Sequence, residues 1–134
     1  MDDYNRSRHA KYNMNVHLIF VTKYRKCVFL SEEIADAVKQ SLYEAAQKYG
    51  YRIIEMETDK NHVHILLDYS HKTAVSVIVK QFKMYSTGKM WQLYENALSR
   101  FYWKQKVLWS EGYFACSVGQ VSQKATEMYI RNQG

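Results

Sequence analysis

Apolar and polar side chains alternate near the start of the chain. Val16, Leu18 and Phe20 occupy every second position within residues 12–24. Because successive side chains of a strand point to opposite faces, this spacing predicts a strand over residues 12–24 with at least one buried face. A strongly basic turn, residues 23–26, follows its apolar positions.

The pattern then changes to the three-to-four-residue spacing of a helix. Ser31 can cap its N-terminus, Glu32 and Glu33 lie at the positive end of the helix dipole, and Gly50 can end it. We therefore expect an amphipathic helix between Ser31 and Gly50. Its predicted apolar stripe consists of Ile34, Val38, Leu42, Ala46 and Tyr49.

Two runs typical of β-strands come next, at residues 51–58 and 62–69. The short polar segment Asp59-Lys60-Asn61 joins them. Two such runs separated by a few polar residues predict a β-hairpin.

The second half of the chain predicts a long helix over residues 75–94 and a fourth strand over residues 113–118. Residues 95–111 fit no regular pattern, and a last helix is expected from near Ser122 to the chain end. The order β-α-β-β-α-β-α predicts an α+β fold of the split-βαβ, ferredoxin-like (RRM-like) kind. Such a fold has an antiparallel sheet with helices on one face, here with an added C-terminal helix.

Composition narrows the class of protein. The chain has 134 residues, 47% of them hydrophobic and 24% charged, so we expect one globular domain over residues 1–134. No apolar run approaches the roughly 18 residues that span a bilayer, and we expect no membrane association and a cytoplasmic location. Cys27 and Cys116 do not have the spacing of a zinc-ligand pair, so a Cys-based zinc site and a disulfide framework are poorly supported.

The net charge of +6 is distributed unevenly. Residues 1–30 carry +4, residues 31–68 carry −4 and residues 69–134 carry +6. Positive potential gathered on particular surfaces is what a phosphate backbone would attract, although a solvated basic face has the same pattern.

A pair of histidines, His62 and His64, lies in the third predicted strand. Period 2 places both imidazoles on one face, about 6.6 Å apart along the backbone, where they can share a metal ion. Val63 and Ile65 then point into the core. Two surface or hydrogen-bonded histidines without a metal would have the same spacing. A third ligand is needed to distinguish a metal site from such a pair. A two-histidine phosphodiesterase would need a hydroxyl residue where Leu66 stands.

Tyr129 and Gln133 lie four residues apart, and therefore on the same face of the last predicted helix. A tyrosine at such a position is usually a half-buried packing residue, so this spacing alone leaves packing and chemistry open. Gly88-Lys89 is not a Walker loop, because Lys83 stands where the earlier glycine is required and Met90 follows.

The chain resembles a known family over nearly its whole length: the TnpA-type single-tyrosine transposases of the smallest bacterial and archaeal insertion sequences. These belong to the HUH (His, hydrophobic, His) nucleases. The motifs that carry the resemblance occur in order along the chain: residues 12–20 with His17, residues 23–26, 54–56, 59–66, 108–109, 113–114, 117–119 and 129–133.

The resemblance implies roles for four residues. The HUH pair falls on His62 and His64, the nucleophile on Tyr129 in the C-terminal helix, and the glutamine metal ligand on Gln133. Together the three ligands would hold a divalent ion, Mg²⁺ or Mn²⁺. Since only about one tyrosine in a thousand is ionised at neutral pH, the metal would have to assist the attack.

The implied reaction is cleavage and rejoining of single-stranded DNA at insertion-sequence ends through a 5′-phosphotyrosine intermediate. The resemblance also implies recognition of DNA hairpins and a homodimer in which the Tyr129 helix of one subunit can serve the histidines of the other. The candidate DNA contacts are Lys23, Arg25, Lys26, Lys80 and Lys83.

Two other functions stay open at this point. One is a non-catalytic module that holds single-stranded nucleic acid on its sheet and aromatic rings. The other is a domesticated relative that cuts hairpins in the host genome without moving its own gene. A carboxylate-triad transposase is disfavoured, because eight of the thirteen acidic residues fall in residues 31–68.

Overall fold

The computed structural model describes residues 14–117 and 123–133, with the backbone alone at 123–126. Within these residues, strands and helices follow one another in the predicted order. They are β1 (Met14–Val21), α1 (Glu32–Tyr49), β2 (Arg52–Asp59), β3 (His62–Tyr69), α2 (Val75–Phe101), β4 (Phe114–Ser117) and α3 (Gln123–Asn132).

The four strands form one antiparallel sheet in the order β2-β3-β1-β4. The central pair runs in continuous register from Met14 opposite Tyr69 to Val21 opposite His62. Strand β3 thus lies between β1 and β2, which α1 connects. This arrangement confirms the predicted split-βαβ, ferredoxin-like α+β fold.

The core lies between one face of this sheet and helices α1 and α2. Leu18, Val63 and Ile65 from the two central strands are completely buried there. They pack in one cluster with apolar side chains of both helices, which include Val38, Leu42, Ile78 and Phe82. The period-2 and helical patterns of the sequence therefore meet in a single core.

Both ends of α1 are as predicted. The Ser31 hydroxyl accepts a hydrogen bond from the backbone N–H of Ile34 at 3.4 Å, and Gly50 ends the helix with φ +85°. A left-handed backbone of this kind is disfavoured for residues with a Cβ atom, which explains the glycine.

Strand β1 ends at Val21, three residues before the predicted end. At Thr22 the chain changes partners: its N–H bonds to the Asn61 carbonyl, and the next N–H bonds to the Leu108 carbonyl. Tyr24 and Arg25 then adopt φ of +59° and +53°, inside the short 3₁₀ turn Lys23–Arg25. Such backbone angles cannot continue a strand. A second 3₁₀ turn, Val28–Leu30, leads to α1.

Helix α2 extends to Phe101 instead of ending at the predicted residue 94. Its backbone is locally non-helical at Tyr94, with φ −133° and ψ 43°, so the predicted end coincides with a break. Beyond it the helix resumes and buries Leu98 completely. The hydroxyl of Tyr94 donates to Glu33 on α1 at 3.1 Å, which fixes the break against the neighbouring helix.

Of residues 95–111, which fit no sequence pattern, 95–101 continue α2. From residue 102 to residue 113, the first residue of the predicted fourth strand, the chain is irregular apart from one bridge between Trp109 and Thr22. Its order comes from side-chain hydrogen bonds. Trp109 Nε1 donates to Ser86 Oγ at 2.9 Å, and Ser110 Oγ donates to the Thr22 carbonyl at 2.9 Å. Buried polar groups paired in this way stabilise a fixed chain path without a helix or strand.

Parts of some predicted elements lie outside the described residues. These are residues 12–13 of the first strand, Val118 of the fourth and Ser122 at the start of the last helix. In the part of the chain that is described, no helix combines the length and apolar character needed to cross a membrane.

Candidate active site

The sheet face opposite α1 and α2 carries a row of histidines. Paired residues of antiparallel strands share a face, and His17 on β1 pairs with Leu66, two residues from His64. His62, His64 and His17 therefore lie on one face, while Val63 and Ile65 between them point into the core, as the sequence predicted. All three imidazoles are half-buried.

His17 and His64 contact each other directly. His17 Nδ1 lies 2.9 Å from His64 Nε2, and the ring centroids are 5.0 Å apart. Because a hydrogen bond needs one donor and one acceptor, one of these nitrogens carries a proton and the other offers its lone pair. The contact fixes the ring orientation of His64.

His62 is oriented by its neighbour in the hairpin turn. Its Nδ1 lies 3.0 Å from Asn61 Oδ1, and an amide oxygen only accepts, so Nδ1 carries the proton. In that tautomer Nε2 keeps a lone pair for a ligand. A histidine held by its far nitrogen in this way is the usual arrangement for a metal ligand.

Burial lowers the pKa of both His62 and His64. For His64 the neighbouring His17 lowers the pKa further, while Glu57 and Glu55 oppose this effect. Neutral imidazoles therefore predominate at neutral pH, and the neutral form is the one that binds metals.

A row of carboxylates flanks the histidines. A register shift after Ile53 in β2 puts Glu55, Glu57 and Asp59 opposite Leu66, His64 and His62. Glu55 and Glu57 line a small cavity of about 150 Å³ together with His17 and His64. Even so, among the described residues no three His, Cys, Asp or Glu side chains are grouped closely enough to hold a metal by themselves.

Tyr129 lies on this same face. Phe114 of β4 pairs with Ile19, and Ile19 pairs with His64 on its other side. The ring of Tyr129 packs on Phe114 with centroids 5.6 Å apart, so α3 brings Tyr129 to the histidine face of its own chain. Burial raises the pKa of Tyr129 to about 12. Its buried hydroxyl has no hydrogen-bond partner among the described residues.

The end of α3 contacts two loops. Arg25 Nη1 donates to the carbonyl of Arg131, which ties the basic turn to the helix that carries Tyr129. Gln133 Oε1 lies close to Gly112, 3.9 Å from where a Cβ atom would stand. Gly112 has φ +82°, so a side chain there would strain the backbone beside Gln133.

Comparison with known proteins decides the family. The family model described as "Transposase IS200 like" matches residues 10–133. The chain belongs to the IS200-like transposases. This confirms the family expected from the sequence motifs.

Two relatives in the sequence comparison are named as transposases. The transposase is 30% identical over 122 residues to the ISDra2 transposase TnpA of Deinococcus radiodurans. The aligned residues cover 91% of this chain and 85% of the relative. It is 28% identical over 133 residues to the transposase for insertion sequence element IS200 of Salmonella typhimurium, covering 99% of this chain and 85% of that one.

Solved structures show the same fold. A crystal structure of a Deinococcus radiodurans protein assigned as a transposase superposes with a TM-score of 0.80 at 28% identity, covering 89% of each chain. A REP-associated tyrosine transposase bound to a REP hairpin superposes with a TM-score of 0.56 at 9% identity, covering 97% of this transposase and 68% of that chain. The second likeness concerns the fold alone.

The basic residues chosen from the sequence fall in two places. Lys23, Arg25 and Lys26 form the turn after β1, at the sheet end where His62 lies. Lys80 is exposed on α2. Lys83, one turn further along, is half-buried, and its Nζ donates to the carbonyls of Ser110 (2.8 Å) and Gly112.

Sequence reasoning chose His62 and His64 but not His17 as a site residue. The available signal was period 2: His17 lies between Val16 and Leu18, so its side chain points away from the core face. What the sequence could not supply was the register of β1 against β3, which brings His17 to His64.

Proposed function

We propose that this transposase cleaves and rejoins single-stranded DNA at insertion-sequence ends, with Tyr129 as the nucleophile. The observation that carries the proposal is the buried Tyr129 hydroxyl, which finds no hydrogen-bond partner in the described part of the chain and lies on the face that bears His62 and His64. A buried hydroxyl left unpaired is costly, and such groups occur where a substrate completes the bonding.

The proposed cofactor is a divalent ion, Mg²⁺ or Mn²⁺. The donor chemistry fits: His62 has an oriented imidazole with one lone pair available, and neutral His64 has one at Nδ1 in the tautomer whose Nε2 donates to His17. Among the described residues no three His, Cys, Asp or Glu side chains are grouped to hold a metal, and the third proposed ligand is the amide oxygen of Gln133, which the family resemblance implies. When bound, the ion would polarise the scissile phosphate and stabilise the leaving 3′ oxygen.

The chain's own residues set up the substitution at phosphorus. The oxygen of Tyr129 forms a bond to the phosphorus as its phenolic proton passes to solvent, and the bond to the 3′ oxygen breaks as that oxygen takes up a proton. One phosphodiester replaces another, which leaves a 5′-phosphotyrosine and a free 3′-OH. Because burial raises the pKa of Tyr129 to about 12, the free phenolate is very rare at neutral pH, so proton loss must accompany attack.

The proposed substrate is a single strand with hairpin ends, and the proposed assembly is a homodimer. The net charge of +6 and the basic turn beside His62 favour a polyanion. The packing of Tyr129 on Phe114 of the same chain, with ring centroids 5.6 Å apart, supports a site within one chain. Exchange of the helix between subunits stays a prediction.

The test is a covalent trapping experiment. Labelled single strands from the DNA flanking the gene are incubated with protein and Mg²⁺ or Mn²⁺, then separated by denaturing electrophoresis. We expect an adduct with wild-type protein and none with Tyr129→Phe or with a His62→Ala/His64→Ala double variant. Tyr43→Phe and His71→Ala are matched controls on exposed positions and should keep the adduct.

An adduct that persists in Tyr129→Phe would overturn the assignment of the nucleophile. Binding of the strands without any adduct in wild-type protein, with either metal, would favour the non-catalytic nucleic-acid-binding module. The double variant separates metal loss from loss of the nucleophile, because it keeps Tyr129.

A further inference from the structure

A second pocket opens beside the basic turn, apart from the histidine row. It has a volume of about 260 Å³ and lies between the turn after β1 and the chain that leaves α2. Tyr24, Tyr102 and Trp103 line it together with Lys26 and Lys104. Two of the rings are open to solvent: Trp103 is 72% exposed and Tyr24 is 61% exposed.

The aromatic wall of this pocket is held in place. Tyr102 is buried, and its hydroxyl donates to the Lys23 carbonyl at 2.8 Å. Its ring lies 6.5 Å from that of Tyr24, centroid to centroid. The turn that presents Tyr24 is closed by the hydroxyl of Thr22, which donates to the Lys26 carbonyl at 2.6 Å.

The charge of the pocket has one sign. Lys26 and Lys104 line it, the ammonium of Lys23 lies 5.4 Å from the Tyr24 ring, and no carboxylate is among the lining residues. Exposed rings between cations fit a ligand with a flat π face and a negative charge. An unpaired nucleotide has both, and base–aromatic stacking needs no particular base.

The pocket is also close to the proposed active site. Val21 pairs with His62 at a Cα separation of about 5 Å, and Tyr24 is at most about 11 Å further along the chain, so the Cα atoms of His62 and Tyr24 are within about 16 Å. Arg25, next to Tyr24, bonds the carbonyl of Arg131 on the helix that carries Tyr129. A single DNA strand bound at Tyr129 can therefore reach the pocket within a few nucleotides.

We propose that this pocket binds one unpaired base of the single-stranded DNA substrate, stacked on Trp103 and Tyr24, with neighbouring phosphates on Lys26 and Lys104. The inference rests on the proposed function for its substrate. It adds a place where the strand is gripped outside the reacting centre, and it gives Trp103 a role that neither packing nor the proposed chemistry requires.

Tryptophan fluorescence gives a direct readout. Trp91 and Trp109 are buried, at 6% and 7% exposure, so quenching by an added strand reports mainly on Trp103. Short single strands are titrated into metal-free protein, where cleavage is not expected. We expect quenching with wild-type protein, and Trp103→Ala should bind about 5- to 150-fold more weakly by a label on the DNA. Trp103→Phe, which keeps a ring, should lose less, and Tyr43→Ala on α1 should lose nothing.

Single abasic substitutions, moved along the strand, locate the stacked base. We expect one position at which removing the base weakens binding to wild-type protein but not to Trp103→Ala. Equal affinity of wild-type and Trp103→Ala would overturn the inference. So would a loss of self-association in Trp103→Ala with unchanged DNA affinity, measured by sedimentation, because the pocket would then bind a second copy of the chain.

The adduct assay separates this inference from the proposed function. If wild-type protein forms the Tyr129 adduct but Trp103→Ala binds DNA normally, the pocket assignment alone fails. If quenching and the abasic position are found but no adduct forms, the pocket stands and the proposed chemistry fails.

Discussion

The two faces of the sheet are made by the same strands but have opposite properties. On β3, Val63 and Ile65 are completely buried against the helices, whereas His62 and His64 between and beside them are half-buried on the other face. A slip of one residue would exchange these sets. The aliphatic face therefore fixes the register, and the register delivers the histidines to the site.

The two faces also differ in whether their side chains have all their packing and hydrogen-bond partners within the chain. The core face contains tightly packed aliphatic and aromatic side chains. On the histidine face, His64 bonds His17 and His62 bonds Asn61, but the Tyr129 hydroxyl has no partner among the described residues. One face contributes stability, and the other keeps bonding capacity for a ligand.

The largest effects should come from neighbouring residues on β3. Ile65→Ala removes a completely buried side chain and should lower the free energy of unfolding by about 2–5 kcal/mol, while the folded fraction still forms adduct. His64→Ala should lower it by about 1 kcal/mol, the value of its hydrogen bond with His17, yet abolish the adduct. Urea unfolding and adduct yield measure both. Loss of stability of similar size in the two variants would contradict the division between faces.

The lysines of α2 should show a smaller but similar contrast. Lys83→Met removes charged hydrogen bonds to the carbonyls of Ser110 and Gly112 and should cost about 1.5–3 kcal/mol of stability. Lys80→Met, on an exposed position, should leave stability unchanged and weaken DNA binding in a salt-dependent way. Urea unfolding and strand titrations at two salt concentrations test this. If Lys83→Met mainly weakened DNA binding, its ammonium would be a DNA contact after all.

The contact between His17 and His64 predicts an effect on metal binding. His17→Ala should weaken Mn²⁺ affinity about 10- to 100-fold, because His64 loses the bond that orients its ring. His17→Asn should recover part of the affinity, and His71→Ala, on an exposed turn, should have none of the effect. Calorimetric Mn²⁺ titration measures the affinity. Unchanged affinity in His17→Ala would show that the backbone alone positions His64.

Sequence patterns predicted the fold because its causes are local. Period 2 in β1 and β3, the Ser31 cap and Gly50 all act within a few residues, and the structure has them as predicted. The irregular part of segment 95–111 could not be predicted, since its order depends on contacts such as Trp109 with Ser86, 23 residues apart in sequence.

Only the part of the candidate site that depends on local strand geometry could be predicted from the sequence. His62 and His64 share a face by strand geometry alone, and their placement follows from two residues of sequence. The contact of His17 with His64 spans 47 residues, and that of Tyr129 with Phe114 depends on how α3 packs. The pocket around Trp103 also needs tertiary structure, because Tyr24 and Trp103 come from distant segments.

The smallest expected effect has the opposite sign. Tyr129→Phe removes a buried hydroxyl that has no partner among the described residues, so it should raise the free energy of unfolding by up to about 1 kcal/mol at pH 7 while the adduct disappears. Stability would then rise as function is lost.

The pH dependence of this gain follows from the raised pKa of Tyr129. In the unfolded chain a tyrosine ionises near pH 10, but burial keeps the phenol protonated in the folded chain up to about pH 12. Between these values the folded state binds more protons, so wild-type stability falls as pH rises through this window. Tyr129→Phe lacks that loss, and its advantage should widen from pH 9 to pH 11 in parallel urea titrations. A constant difference would mean that the Tyr129 hydroxyl ionises as readily in the folded chain as in the unfolded one, and that α3 does not bury it on the histidine face.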